Sequence, residues 1–313
     1  MRRALLKGCA LFVCGRAPVG ARLYRELTRN WMGSQATHVD KLQRVWPGYV
    51  QVWRSACGLD MEGLDVWVHE GGWTLFPTFA NYLLTGKAGV VTNSEGRVLD
   101  KYLARAVNGV LASGLPAELV PEQRRREVEA LRWLPTAAEA IERLGGREAR
   151  CEPGGPVNLE SQSADLCHSG GALEHYRPDE LQAFLKECFR VLRRGGVASH
   201  ILDHRDHLHH TDDKLPFLSH LAWPDLAYRV FLGHELGYHN RLLPGEVEAM
   251  FEEAGFERVA LRRMILPSRE YVEGARVLEG EAGVSRRWLR GRYRQASEED
   301  LRTAAGHYLY RKP

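Results

Sequence analysis

The sequence predicts an α/β fold in which a doubly wound sheet of seven strands is covered by helices on both faces. After residue 60, short apolar segments rich in β-branched residues alternate with amphipathic helical segments, and this alternation is typical of a mostly parallel sheet. The first 60 residues show helical periodicity alone. We therefore expect an N-terminal helical cap over residues 1–60 and an α/β domain over residues 61–313.

The expected elements follow in order along the chain. Two helical stretches fill the cap, residues 3–30 and residues 34–57. The seven expected strands cover residues 66–68, 88–93, 148–152, 164–169, 197–204, 258–266 and 306–312, and the expected helices of the α/β domain cover residues 76–84, 98–112, 121–146 (one or two helices), 177–196 and 243–256. In open sheets of this kind a ligand lies outside the carboxyl ends of the strands, where the strand order reverses.

Composition and charge argue against several classes of function. The formal net charge is +3 and the basic residues are spread along the chain, so nucleic acid is not the expected partner. No segment reaches the roughly 18 apolar residues that a membrane span needs. The six cysteines form no CxxC pair and no zinc-finger spacing, which indicates free thiols and a cytoplasmic protein.

Residues 163–207 carry the most specific pattern in the chain. Asp165-Leu166 lies at the fourth predicted strand, Leu173-Glu174-His175 opens the next helix, and Arg190-Val191-Leu192 with Gly195-Gly196 precedes the fifth strand. This spacing resembles the second half of class I S-adenosylmethionine-dependent methyltransferases of the small-molecule type. The resemblance implies a Rossmann-like fold, S-adenosylmethionine as the cofactor and a small molecule as the substrate.

The resemblance also implies a cofactor site along the carboxyl ends of the strands. Its closest matches in this sequence are Glu70, Gly71, Gly72 and Trp73 after the first strand, Ser94 and Glu95 after the second, Asn158 after the third, Ser169 and Gly170 after the fourth, and Lys41 in the cap.

These cofactor motifs depart from the family's pattern. Family members usually carry an acid before Gly-x-Gly at the first strand, a carboxylate for the ribose hydroxyls, and an acid for the adenine amino group. Here the three positions read "HEGG" at residues 69–72, then Ser94 and Glu95, then Asn158 or Glu152. A carboxylate suits the ribose because it accepts two hydrogen bonds at once. Cofactor binding through shifted residues and loss of the methyl donor both stay open.

The substrate side is implied by the same resemblance. His175 and His207 could each take a proton from a substrate hydroxyl or amine, because the pKa of imidazole lies near working pH. A structural histidine is the plainer alternative for His175, and an internal salt bridge for Arg241. The substrate-binding candidates are His38, Glu174, Asp203, Arg205, Asn240 and Arg241. Residues 204–243 are expected to form a mostly helical insertion that helps wall the substrate cavity.

The stretch 200–213 holds five of the 13 histidines together with four aspartates. Imidazole and carboxylate are ligands of zinc, iron and nickel, so a metal site is an alternative. Its ligands would be the histidines that the resemblance does not otherwise use, His204, His209 and His210. No recognised ligand spacing is present, and a solvated polar loop explains the same residues.

The function predicted from the sequence is S-adenosylmethionine-dependent methyl transfer to a small molecule. The alternative is a methyltransferase-like protein that has lost methyl transfer. Such a protein would serve as a binding partner or perform other, metal-assisted chemistry in the same crevice. The oligomeric state is not predicted.

Overall fold

Seven strands form one sheet in the computed structural model, which describes residues 2–31, 34–70, 75–93, 100–209, 215–234, 236–265 and 289–313. The strands are β1 (Val66–His69), β2 (Val90–Asn93), β3 (Arg147–Arg150), β4 (Ala164–Gly170), β5 (Leu192–Asp203), β6 (Glu257–Ile265) and β7 (Thr303–Arg311). Their order is β3-β2-β1-β4-β5-β7-β6. The pairs from β3 through β5 are parallel, and β7 runs antiparallel to both of its neighbours. The predicted fold class is confirmed.

The strand order reverses between β1 and β4. Val68 of β1 pairs with Val91 of β2 on one side and with His168 of β4 on the other. The carboxyl ends of β1, β2, β4 and β5 therefore meet at one edge of the sheet, which we call the carboxyl edge. A ligand crevice is expected at this reversal.

The helices lie before the sheet and between its strands. They are α1 (Arg2–Cys14), α2 (Pro18–Trp31), α3 (Ser34–Ser55), α4 (Phe76–Thr85), α5 (Leu103–Leu111), α6 (Glu122–Ala130), α7 (Ala137–Arg143), α8 (Pro178–Val191), α9 (Asp225–Leu232), α10 (Pro244–Glu253) and α11 (Glu298–Arg302). Helices α8 and α10 begin in the same way, with proline at the first helical position. In each helix a glutamate two residues after this proline accepts a hydrogen bond from the backbone N–H of the residue before the helix: Glu180 from Arg177, and Glu246 from Leu243. Within the described ranges, none is long and apolar enough to cross a membrane.

Two apolar cores lie on opposite faces of the sheet because successive strand residues point to opposite sides. On one face Val66 and Val68 pack with α3, α4, α5 and α7. On the other face Trp67 packs with α8 and α10, and the free thiols of Cys167 and Cys188 are buried there. Helix α3 is thus a part of the helical layer on the sheet, in addition to following the cap helices α1 and α2.

The N-terminal helices differ from the prediction in one respect. Residues 3–30 form two helices instead of one, because the chain turns between Cys14 and Pro18. A Cβ atom at Gly15 would lie 2.1 Å from Nδ1 of His234, so a side chain at this turn would displace the His234 ring from its present position. Phe12 packs against Phe231 of α9, with ring centroids 5.0 Å apart.

The segment 204–243 is mainly loop where the structure describes it, so the expectation of a mostly helical insertion was wrong. Its helical parts are α9 and a single 3-10 turn, Ser219–Ala222. Asp206 organises the loop from inside. Its buried carboxylate accepts bonds from the backbone N–H of Leu208 and the hydroxyl of Ser219, and these bonds replace the backbone bonds that a helix would supply.

Candidate active site

A chain of hydrogen bonds runs through β1 and β2 to Glu70, the first residue after β1. The Nε1 atom of Trp67 donates to Oγ1 of Thr92 at 2.9 Å, and Oγ1 lies 3.0 Å from Nδ1 of His69. The Nε2 atom of His69 lies 2.8 Å from the hydroxyl of Tyr176. Tyr176 donates its own hydrogen to the carboxylate of Glu70, so Nε2 of His69 carries the proton that the tyrosine oxygen accepts, and Nδ1 accepts from Thr92. Burial first, then the charge of Glu70 and its hydrogen bond, raise the pKa of Tyr176.

His69 occupies the last position of β1, near which the resemblance implies an acid. It is 1% exposed, its ring stacks on Phe184 with centroids 4.0 Å apart, and burial lowers its pKa to about 3. His69 is therefore a neutral imidazole whose two ring nitrogens are both hydrogen-bonded inside the protein, and it cannot take the place of the expected acid. The acid at this end of β1 is therefore Glu70, whose φ of 49° places it in a tight left-handed turn.

A narrow gap lies between α3 and the carboxyl ends of β1 and β4. Trp46 and Trp53 of α3 are buried, and their rings lie 5.4 Å and 5.2 Å from the ring of His168 in β4. Glu70 and Gly170 border the gap, which measures about 30 Å³. This is room for about two water molecules. The two indole rings form one wall of this gap.

The remaining cofactor candidates near β4 differ in what they can offer. The Oγ atom of Ser169 is buried and lies 2.8 Å from Nδ1 of His200, so this hydroxyl is bonded inside the sheet. Gly170 is exposed, with no atom within 4 Å of the position that a Cβ would take, and a ligand can approach its backbone closely. Lys41 is exposed on α3, and its positive charge opposes only in small part the burial that raises the pKa of Glu174.

Glu174 is a buried carboxyl group with an unsatisfied oxygen. It lies in the 3-10 turn Leu173–His175 after β4 and is 3% exposed. Its Oε2 atom has no hydrogen-bond partner among the residues that the structure describes. Burial raises the pKa of Glu174 to about 8, and the negative charge of Asp203 acts in the same direction. The Oε1 atom lies 3.5 Å from the position of a Cβ on Gly171, at the end of β4.

Asn240 holds this turn in place. Its Nδ2 atom donates to the carbonyl oxygens of Leu173, at 2.9 Å, and Tyr176, at 3.1 Å. Its backbone N–H donates to the carbonyl of Glu174, and its Oδ1 atom accepts from the backbone of Leu242. Asn240 is thus a positioning residue for the turn, because its amide donors already serve the backbone.

A second cavity, of about 230 Å³, opens beside this turn. Helices α1 and α2, the turn after β4 and the 204–243 segment line it with Lys7, Tyr24, His175, His207, His220 and His239. The ring centroids of His175 and His207 are 4.8 Å apart, and those of His207 and His239 are 4.3 Å apart. We call this space the histidine cavity. It is smaller than most pockets for drug-sized ligands, so it suits a compact molecule.

Backbone carbonyls fix the protons of two of these histidines. Nδ1 of His175 lies 3.0 Å from the carbonyl oxygen of Tyr238, and Nε2 of His239 lies 2.9 Å from that of Asp203. A carbonyl oxygen only accepts, so each of these nitrogens carries a hydrogen and the other ring nitrogen has a lone pair. Burial lowers the pKa of His239 to about 3. The surrounding protein also shields the His175 ring from water, and this desolvation lowers its pKa. Part of the side chain stays open to solvent at the cavity mouth.

Three predicted substrate-binding residues are engaged within the protein. The guanidinium of Arg205 binds both carboxylate oxygens of Asp203, at 2.9 Å and 2.8 Å. Arg241 pairs with Asp225 and lies over the ring of Tyr228, 4.3 Å from its centroid. Arg241 therefore forms an internal salt bridge, which the sequence analysis gave as the alternative to substrate binding.

The alternative metal ligands from the sequence do not form a site among the described residues. His204 is buried with both ring nitrogens bonded, Nδ1 to a backbone carbonyl and Nε2 to the hydroxyl of Tyr308 at 2.8 Å. His209 uses Nδ1 for the carbonyl of Leu215. His210 lies outside the described residues. A histidine whose two nitrogens are already bonded has no lone pair for a metal ion, so His204 is withdrawn as a ligand.

Asn158 lies away from the carboxyl edge, so its predicted adenine contact is wrong. Arg190 binds the carbonyl oxygens of its neighbours Val157 and Leu159, at 3.1 Å and 2.9 Å. Arg190 stands at the C-terminal end of α8, directly before β5 begins. This part of the chain lies at the amino ends of the strands because it must return to the start of β4.

Several predicted contacts fall outside the described residues: Gly71, Gly72, Trp73, Ser94 and Glu95. His38 belongs to α3, but its side chain is likewise outside the described part of the chain. These assignments stay predictions.

The sequence analysis missed Lys7, His220 and His239, which line the histidine cavity. None of them belongs to a motif, and only the fold brings them together. Eight of the 13 histidines lie between residues 200 and 239, and this concentration is the signal that could have identified His220 and His239.

Comparison with known proteins gives one family match and a set of similar solved structures. Residues 111–199, from the end of α5 into β5, match the family model of the methyltransferase domain. One similar solved structure is an S-adenosylmethionine-dependent methyltransferase from Mesorhizobium loti, with 15% sequence identity, a TM-score of 0.43, and 83% of this chain and 97% of that chain covered. A second is the PH0226 protein from Pyrococcus horikoshii, with 12% identity, a TM-score of 0.46, and 88% of this chain and 90% of that chain covered. A third is phosphoethanolamine N-methyltransferase 2 from Haemonchus contortus in complex with S-adenosyl-L-methionine, with 13% identity, a TM-score of 0.45, and 93% of this chain and 60% of that chain covered. No curated protein sequence matches the chain. The family match covers less than a third of the chain, and within those residues the chain is similar to the methyltransferase domain.

Proposed function

We propose that this protein transfers the methyl group of S-adenosylmethionine to a small molecule bound in the histidine cavity. The observation that supports the proposal best is the position of this cavity, beside the turn that follows β4 in a chain that matches the methyltransferase domain. S-adenosylmethionine, when bound, supplies an electrophilic methyl group. The main contribution of the protein is then to align the acceptor atom, and a volume of about 230 Å³ favours a compact acceptor over a macromolecule.

The described residues fit S-adenosylmethionine in part. Gly170 permits close approach to its backbone, and the carboxylate of Glu70, which Tyr176 holds, suits an ammonium group. The gap beside them is about 30 Å³ while Trp46 and Trp53 stand in place, far below the volume of a pocket for a nucleoside. We therefore expect α3 to move at these two indoles when the cofactor binds.

We assign the proton acceptor to His175 and His207. Their rings lie 4.8 Å apart on the wall of the histidine cavity. The Nδ1 atom of His175 donates to the carbonyl of Tyr238, so Nε2 is the atom that would accept a proton from a substrate amine or hydroxyl. The lowered pKa of His175 keeps the ring neutral, and thus able to accept, at pH 7.

A methyltransferase-like protein without methyl transfer is the second candidate. The small gap under α3 favours it, because a site that keeps the fold and gives up the cofactor is free to fill its crevice with side chains. The histidine cavity would then bind a small molecule without a methyl donor.

Isothermal titration with S-adenosylmethionine and with its demethylated product separates the two candidates. Saturable 1:1 binding is the result expected for the methyltransferase. Wild-type protein that shows no binding at millimolar cofactor would contradict it and support the second candidate. Transfer of a labelled methyl group to pools of small amines, phenols and thiols then identifies the acceptor class.

Variants test where the cofactor lies. Glu95→Ala removes the carboxylate predicted to hold the ribose hydroxyls and should weaken binding by about 1.5–3 kcal/mol, roughly 10- to 150-fold in Kd. Gly71→Val should weaken it more, because a branched side chain enters the space of the ligand. Asn158→Ala is the matched control, since Asn158 lies at the opposite edge of the sheet. Equal binding by wild type and Glu95→Ala refutes the ribose assignment and leaves the cofactor itself in place.

A further inference from the structure

Three side chains of the types that bind metal ions meet where the turn after β4 borders the histidine cavity. Glu174, His175 and His207 each offer one ligand atom, and these three atoms lie within 4.8 Å of one another. One carboxylate and two imidazoles are the protein ligands of several catalytic zinc sites and of the facial triad that binds ferrous iron. Both kinds of site leave coordination positions open for water or substrate.

The carboxylate of Glu174 is in a state that a metal ion would explain. It is 3% exposed, and its Oε2 atom has no partner in the part of the chain that the structure describes. Buried polar atoms are nearly always paired, and a buried oxygen that is left without a partner costs stability. An ion bound beside His175 and His207 would satisfy this oxygen.

Two histidines at this place are protonated on the ring nitrogen that points away from the proposed ligand set, as metal-binding histidines usually are. A metal-bound imidazole almost always donates its other N–H to a carboxylate, a backbone carbonyl or water, which fixes the ring and directs its lone pair to the ion. His175 donates in this way to the carbonyl of Tyr238, and His239 to that of Asp203. The Nδ1 atom of His239 has no partner among the described residues, and its ring lies against that of His207.

We propose that Glu174, His175 and His207 bind one divalent transition-metal ion whose open coordination positions face the histidine cavity. His239 stands next to this set and is the side chain placed to complete it. The ion would occupy the lone pairs of His175 and His207 and would hold an oxygen, nitrogen or sulfur atom of the compact acceptor, so lowering of the acceptor's pKa by the ion would replace proton transfer to these histidines. That last consequence rests on the proposed methyl transfer, whereas the binding of the ion does not.

The first test is metal binding by the full chain after treatment with a chelator and dialysis. Titration with Zn²⁺ and with Co²⁺ should give one ion per chain, and bound Co²⁺ should show the visible absorption of a site with few, mixed nitrogen and oxygen ligands. Mg²⁺ prefers oxygen ligands and should not compete. Anaerobic titration with Fe²⁺ shows which transition ion binds most tightly. Absence of 1:1 binding by all three transition ions overturns the proposal.

Variants then test the ligands. Changes to second-shell partners alone cost about 10- to 100-fold in metal affinity, so His207→Gln and Glu174→Gln should each weaken Co²⁺ binding by at least about 100-fold. His209→Gln is the matched control, because His209 lies two residues away with Nδ1 on a backbone carbonyl, and it should bind like wild type. Equal affinity of wild type and the ligand variants, or an equal loss in His209→Gln, refutes the site.

His175→Gln keeps the test decisive if a buried change disturbs folding. The His175 side chain is exposed, so this variant should keep the circular dichroism spectrum and thermal melting of the wild type while losing Co²⁺ binding. Retained binding in this folded variant contradicts the proposal. A protein that binds the ion but not S-adenosylmethionine would refute the proposed methyl transfer alone, and the reverse result would refute the metal site alone.

Discussion

The Nε1 atom of Trp53 donates a hydrogen bond of 2.7 Å to the Oγ atom of Ser199 and so ties α3 to β5. Ser199 lies 2.8 Å from Nε2 of His307 in β7. Because the indole N–H can only donate, the serine hydrogen remains for His307. The same sequence of indole, hydroxyl and imidazole recurs around β1, in Trp67, Thr92 and His69. Buried polar chains of this kind fix how the helical layer sits on the sheet.

Trp53→Phe should lower the free energy of unfolding by about 1–2 kcal/mol more than Trp46→Phe does. Both changes shrink a buried indole of α3, but only Trp53 has a hydrogen-bond partner to lose. The Nε1 atom of Trp46 has none within the described residues. Urea unfolding of the two variants isolates the bond, and equal losses would show that it contributes nothing.

Tyr176→Phe should destabilise the protein by about 1–3 kcal/mol, because the buried Nε2–H of His69 loses its acceptor. Tyr310→Phe is the matched control. Tyr310 is also buried, and its hydroxyl has no partner in the described part of the chain. Chemical unfolding measures both variants. A loss in Tyr310→Phe as large as in Tyr176→Phe would contradict the assignment.

The stability of the protein should fall in mild acid. Burial lowers the pKa of His69 and of His168 to about 3, and that of His307 to about 4, from an ordinary value of 6.5. Below pH 6.5 the unfolded chain takes up protons that the folded protein does not bind. The contribution of each neutral histidine to the free energy of unfolding is therefore fully present above about pH 7. By pH 5 the free energy of unfolding has fallen by roughly 2 kcal/mol per buried histidine relative to its value at pH 7.

The His168→Gln variant measures one of these contributions. Glutamine keeps an amide beside Asn81, which contacts Nε2 of His168 at 3.1 Å, and removes the titrating group. Between pH 8 and pH 5 its free energy of unfolding should fall by about 2 kcal/mol less than that of the wild type. An identical fall in both proteins would assign the acid sensitivity to other groups.

Asn240→Asp should disturb the turn that carries Glu174 and His175. The substitution replaces two amide donors by a carboxylate that faces the carbonyl oxygens of Leu173 and Tyr176, and a loss of about 2–3 kcal/mol in stability is expected. Asn108→Asp, on the exposed face of α5, should cost little. Thermal and urea unfolding compare the two, and a stable Asn240→Asp protein would show that the turn is held by other contacts.

The local sequence pattern was enough to predict where most strands of the sheet lie. The apolar run at Val66–Val68 appears as β1 with one residue added, and the segment expected at residues 164–169 appears as β4. β5 begins at Leu192, five residues before its predicted start. The sequence "RVLRR" continues the helical periodicity of α8, but Arg193 binds Asp65 and Asp165. These partners are distant in sequence, so periodicity could not show where the helix ends.

The site was harder to predict than the sheet. The spacing in the resemblance identified Glu174, His175 and His207 separately, but not that their ligand atoms converge within 4.8 Å. His220 and His239 lie on loops, whose course depends on tertiary contacts such as the bond from His239 to Asp203. Contacts within one element follow from periodicity, whereas contacts between loops do not.

The position of α3 over the crevice has a consequence for how ligands influence one another. If the closed arrangement outnumbers an open one by 99 to 1, the measured Kd of the cofactor is about 100-fold weaker than the Kd of the open form. Any second ligand that favours the open form then tightens the first without touching it, and the effect is reciprocal. A change that loosens α3, such as Trp53→Phe, would make the protein easier to unfold and at the same time a better binder, so that stability and affinity would change in opposite directions.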